Sequence, residues 1–103
     1  MVGIPRAVER AMGQFGDNLR TWRQLRRLTI DQVADRAGVG RKTVMSVEAG
    51  RSATLESVFR IARALGLLDQ LATAVDPYES DVGRLRADEV LPQRVHHRRD
   101  ETS

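Results

Sequence analysis

The chain has 103 residues with 17 Lys+Arg and 14 Asp+Glu, a formal net charge of +3, 41% hydrophobic and 4% aromatic residues. That length fits one small domain with an aliphatic core and leaves no room for a large α/β enzyme. Cysteine is absent, which excludes disulfides, thiolate metal sites and cysteine nucleophiles, and no apolar run approaches the ~18 residues of a membrane span. The N-terminal stretch carries Arg6, Glu9 and Arg10 and no hydrophobic segment, so no signal peptide is expected and a bacterial, cytoplasmic setting is.

Helix signals run from the start to about residue 75, with no convincing strand. Pro5 suits a first helical turn. Val8, Met12, Phe15, Leu19 and Trp22 follow at spacings of 4, 3, 4 and 3, an amphipathic seam. Gly13 and Gly16 weaken its middle, which leaves one long helix or two joined near Gly16. Thr29-Ile30-Asp31-Gln32 reads as a capping box. Ile30, Val33, Ala34 and Ala37 supply the buried face of the helix it starts, and Gly38 is its left-handed stop. A third helix runs from about Arg41 to Ala49, with Val44 and Val47 inward and Gly50 at its end. A fourth begins near Thr54 on Leu55, Val58, Ile61, Ala62 and Leu65, and Gly66 ends it. Leu67, Leu68, Leu71, Ala72 and Val75 make a short fifth helix, stopped by Pro77. Residues 1–75 are thus expected to form a compact all-α domain of five helices. Residues 76–103 are expected to be a tail, flexible or ordered by a dimer mate or partner. Within it, Asp81 to Leu91 reads as a weak helix or an added strand, Pro92 interrupts, and Arg94 to Ser103 is polar enough for disorder.

Charge is unevenly spread. Up to Gly66 there are 12 basic and 6 acidic residues, and from Leu67 onward 5 basic and 8 acidic. All the basic residues but Lys42 are Arg, which favours planar, bidentate partners such as phosphate and guanine edges. A basic body suits nucleic acid, although a high-GC genome that uses Arg in place of Lys explains the bias equally well.

The helices Thr29–Ala37 and Arg41–Ala49, joined by a short glycine-containing turn, have the layout of a helix-turn-helix over residues 29–49. With Val44 and Val47 inward, Lys42, Met45, Ser46 and Ala49 lie on the outer face of the second helix. Arg41 lies at the edge of that face, at the N-terminal end that meets base edges in a major groove. Arg41 and Lys42 suit a guanine edge or a phosphate, and Arg51 suits a phosphate, flanked by Arg20 and Arg36. The same layout occurs in ordinary bundles, where Arg41 and Lys42 are solvated charges.

The run LRTWRQLRRLTIDQVADRAGVGRKTVMSVEAGRSATLESVFRIARALGL, Leu19 to Leu67, resembles the helix-turn-helix domain of the XRE family, which includes the lambda and 434 repressors and Cro. Val33-Ala34, the Ala37-Gly38-Val39 turn, Val44 and Glu48-Ala49-Gly50 fall at the family's spacing, over about half of the chain. The resemblance implies a lambda-repressor-like fold and double-stranded DNA as partner. It places base reading on Arg41, Lys42 and Ser46, with Met45 beside them, and backbone contact on Arg51. Thr29, Arg20 and Arg36 are the further candidates for backbone contact. The resemblance also makes Arg23 and Glu48 a structural ion pair between the first and third helices. Three positions depart from the family: Gly40 where Ser or Thr often caps the recognition helix, and Ile30 and Ala49 where polar residues often touch phosphate. Fewer anchors imply modest affinity for one copy.

The flanking segments PRAVERAMGQFGDNLRTWRQLRR, ARALGLLDQL and DPYESDVGRLRADEVLPQRV resemble HipB-like antitoxins. That implies a dimeric autorepressor binding a palindromic operator and a HipA-like serine/threonine kinase toxin. Leu67, Leu68, Leu71 and Val75 offer apolar surface that a two-fold dimer would bury, with recognition helices roughly 34–36 Å apart; the same leucines serve equally to close a monomer core. Two other classes stay open: a stand-alone regulator (phage-type repressor or restriction-modification controller) and a protein-interaction module that binds no DNA. His96-His97 lacks a third ligand, so no metal site is expected. No catalytic constellation and no cofactor motif is found, so no enzyme is expected.

Overall fold

The computed structural model describes residues 3–91. Among them are six α-helices and no strand: α1 (Arg6–Leu25), α2 (Ile30–Ala37), α3 (Arg41–Glu48), α4 (Leu55–Ala64), α5 (Leu68–Thr73) and α6 (Asp81–Val90), with a 3-10 turn at Pro77–Glu79 before α6. The chain divides after Leu71 into two units.

The first unit is built on local signals that the chain obeys. Thr29 and Gln32 form the capping box: the Thr29 hydroxyl accepts from the Gln32 N–H at 3.0 Å, and Gln32 Oε1 accepts from the Thr29 N–H at 2.8 Å. Such a cap stabilises a helix by about 1 kcal/mol. Gly38 closes α2 at φ 71°, and the Thr54 hydroxyl caps α4 by accepting from the Ser57 N–H. The core joins Leu19, Leu28, Val33, Ala34, Ala37, Val44, Val47, Ile61, Ala62, Leu65 and Leu67. Ile61, Leu65, Val33 and Val44 are fully enclosed. Leu67 is in this core and Leu71 packs against it, so these two leucines close the domain.

α1 is one unbroken helix of 20 residues through both glycines. Of its expected seam only Leu19 is fully buried; Phe15 packs partly against the core, while Val8 and Trp22 are exposed. Gly16 explains the rest. It is buried, and a Cβ there would lie 2.4 Å from the Val47 carbonyl oxygen and 2.6 Å from that of Glu48. α1 therefore meets the C-terminal end of α3 backbone to backbone. Gly50, at φ 77°, continues this approach, since a Cβ on it would fall 2.8 Å from Gly13 Cα.

After Leu71 the structure shortens one expected element and decides between the two alternatives left for another. α5 ends at Thr73, short of Val75, which is 87% exposed. Asp76 precedes a proline, which disfavours helical backbone there, and its carboxylate instead accepts from the Tyr78 N–H at 2.9 Å. Asp81–Val90 is a helix rather than a strand, and the Ser80 hydroxyl caps it by accepting from the Gly83 N–H at 3.0 Å. Arg84 pairs with Asp81 and donates to the Tyr78 carbonyl, tying α6 to the 3-10 turn. Pro92, the Gln93-Arg94-Val95 run, His96, His97, Arg98 and Arg99 lie outside the described residues.

Candidate nucleic-acid interface

α2 and α3 are joined through Gly38-Val39-Gly40, and α3 presents its outer face because Val44 and Val47 are drawn into the core. Gly40 stands at the N-cap of α3 and provides no side-chain cap. The first turn of α3 contains Arg41 and Lys42 and no acidic residue. Two cations at the positive end of a helix dipole oppose the usual preference and raise the local potential. That arrangement suits an anionic partner.

The guanidinium of Arg41 is exposed but held. Its Nε donates to Asp31 Oδ1 at 2.8 Å, and its Nη1 lies 3.5 Å from Met45 Sδ one turn further along α3. Lys42 and Ser46 line a groove of about 280 Å³ whose other walls are Thr43, Ser52, Ala53, Thr54 and Ser57. Hydroxyls of this number beside an exposed ammonium provide donors for an anion. Met45 is exposed and Ser46 half-buried. α3 thus brings Arg41 and Met45 into contact and sets Lys42 and Ser46 on a shared groove.

The remaining residues stand elsewhere. The Thr29 hydroxyl accepts from the Gln32 N–H in the capping box, and its hydrogen is the donor it can offer a phosphate. Arg20 is exposed on α1 and Arg36 in the last turn of α2. Arg51 follows Gly50, with its N–H donating to the Ser46 carbonyl at 2.8 Å. It lines a different, apolar groove of about 500 Å³, with Val8, Met12, Phe15 and Val58 among its walls.

Arg23 and Glu48 form a two-pronged ion pair from α1 to α3, Nε to Oε2 at 2.7 Å and Nη2 to Oε1 at 3.1 Å. Arg23 Nη1 also donates to the Leu28 carbonyl at 3.0 Å. The side chains are only 12% and 11% exposed, so the pair fixes the end of α3 and is closed to a ligand.

Several contributors escape a reading of the sequence. Asp31 holds Arg41 across ten residues of chain. Arg26 donates to the Leu65 carbonyl at 2.6 Å while its guanidinium lies 5.2 Å from the centroid of the Trp22 ring, which satisfies the end of α4 and shelters an exposed indole. Arg60 pairs with Glu56 and reaches the Ala37 carbonyl at the end of α2. Only the hydroxyl groove had a visible trace, in the run Ser52-Ala53-Thr54-Leu55-Glu56-Ser57.

Among the described residues no three His, Cys, Asp or Glu side chains gather to hold a metal ion, and no helix is long and apolar enough to cross a membrane. A family model described as a helix-turn-helix domain matches residues 14–75, more than half of the chain. No curated protein matches it.

Proposed function

The chain belongs to the helix-turn-helix domain family, and from that premise we propose that it is a sequence-specific DNA-binding transcriptional repressor that reads bases with α3. The observation that carries the reading is the exposed first turn of α3, where Arg41 and Lys42 project from an uncapped helix start set by a three-residue turn. Arg41, Lys42, Met45 and Ser46 meet base edges, and Thr29, Arg20, Arg36 and Arg51 meet the backbone. On this reading the protein works in the bacterial cytoplasm, binds without a cofactor and catalyses nothing.

The finer reading rests on the tail's resemblance to HipB-like antitoxins. The protein acts as a homodimer on a palindromic operator upstream of its own gene and binds a HipA-like serine/threonine kinase. Support for a second copy comes from apolar surface at Val75, Val82, Leu85 and Val90, all exposed.

Fluorescence anisotropy of the full chain against DNA from upstream of its own gene, beside a scrambled duplex and at two salt concentrations, tests the proposal. Tight binding to the upstream duplex alone, weakening as salt rises, is expected. Equally weak binding to both duplexes would refute sequence-specific recognition by the protein alone. Co-purification with the product of a neighbouring kinase-like gene checks the antitoxin reading, and a failure to co-purify would leave a stand-alone regulator.

A further inference from the structure

We infer that Asp31 on α2 is a specificity-determining residue: it positions Arg41 for base reading and so controls discrimination at a base pair it does not touch. This rests on the DNA-binding reading above and extends it to a residue outside the recognition helix.

The geometry carries the inference. Asp31 Oδ1 accepts from Arg41 Nε at 2.8 Å, while Met45 Sδ lies 3.5 Å from Nη1. The guanidinium is thus held from α2 on one side and from the next turn of α3 on the other. Because the carboxylate takes Nε and Met45 Sδ takes one hydrogen of Nη1, the second hydrogen of Nη1 and both of Nη2 are the donors left for a base. Two parallel donors at the tip match the O6 and N7 acceptors of guanine end-on. A wandering Arg would instead meet phosphates from any direction, and ordering it at the moment of binding would cost rotamer entropy.

The pair is 59% and 74% exposed for Arg41 and Asp31, so its net worth to folding is small. Its position matters more. A carboxylate beside the first turn of α3 repels phosphates and weakens binding wherever Arg41 finds no guanine to compensate. Orientation of the donor fork and repulsion from the wrong surface act in the same direction, towards specificity. Asp31 also sits in the first turn of α2, where an acidic residue favours the helix dipole. The experiment has to separate that plain structural role.

Full-length protein, Asp31→Ala, Arg41→Ala and the double substitution are each used to select from a randomised duplex library. Affinities are then measured for the selected motif, its single-base-pair variants and a scrambled duplex, and melting temperatures are recorded. Wild type is expected to select a motif, and Arg41→Ala to lose preference at one G·C pair. Asp31→Ala is expected to lose about ten-fold discrimination at that same pair while binding scrambled DNA a few-fold more tightly. The double substitution should discriminate no worse than Arg41→Ala alone, because the two residues act as a unit. Unchanged preferences for Asp31→Ala, or a loss that adds to that of Arg41→Ala, would overturn the inference. Uniform weakening on every duplex together with a lower melting temperature would also overturn it, assigning Asp31 to α2 alone. Failure of the wild type to select any motif would instead refute the DNA-binding reading beneath it.

Discussion

Glu48→Ala is expected to lower the stability of the domain by about 3 kcal/mol, a fall of about 15 °C in melting temperature for a chain of this size. The carboxylate takes both prongs of Arg23, and neither side chain is more than 12% exposed. Removing it leaves a guanidinium that is largely out of water with only the Leu28 carbonyl to receive it. The cost comes from that stranded charge more than from the lost attraction. Replacing both partners by Leu is therefore expected to cost less than Glu48→Ala alone, since no charge is then left unpaired. Denaturant unfolding of the single and double variants measures both. A loss below about 1 kcal/mol for Glu48→Ala would place the pair with ordinary surface ion pairs.

Gly16→Ala is expected to destabilise by about 2 kcal/mol, and Gly13→Ala, three residues away in the same helix, to stabilise by roughly 0.5–1 kcal/mol. The contrast follows from surroundings. A Cβ on Gly13 meets nothing within 4 Å, whereas one on Gly16 lies 2.4 Å from the Val47 carbonyl oxygen. The obstacle at Gly16 is backbone, so α1 and α3 have to move apart. That movement would also strain the Arg23–Glu48 pair and shift the face of α3. Helix propensity alone predicts that both substitutions stabilise, because Ala is the better helix former. Thermal melts of the two variants decide between packing and propensity, and equal effects at the two sites would contradict the close approach.

What the sequence conveyed was governed by distance along the chain. The capping box of Thr29 and Gln32 and the stop at Gly38 depend on groups three or four residues apart, so their pattern is written in the order of residues. The Arg23–Glu48 pair spans 25 positions and was visible only through resemblance to a family. The two α1 glycines looked like weaknesses because propensity is a local quantity, whereas the benefit of Gly16 comes from α3, more than 30 positions later. The apolar pattern carries α5 through to Val75, but the proline at 77 and the Asp76 side chain turn the chain sooner.

At the candidate interface the same rule holds. The outer face of α3 was legible from the inward pair Val44 and Val47, since one helix fixes its own phase. The attachment of Arg41 to Asp31 was not, because it needs the angle between α2 and α3. The position of Arg51 just past α3 and the family resemblance both assign it to backbone contact; in the structure it borders an apolar groove, a different one from the hydroxyl groove of Lys42 and Ser46.

The central claim is that α3 reads bases while other cations only hold the backbone. Binding of Arg41→Ala and Arg51→Ala to the upstream duplex and to a scrambled one, by anisotropy at fixed salt, tests it most directly. Arg41→Ala is expected to lose about 1–3 kcal/mol on the upstream duplex and little on the scrambled one, while Arg51→Ala weakens both alike. Equal losses on the two duplexes for Arg41→Ala, or none on either, would contradict the claim.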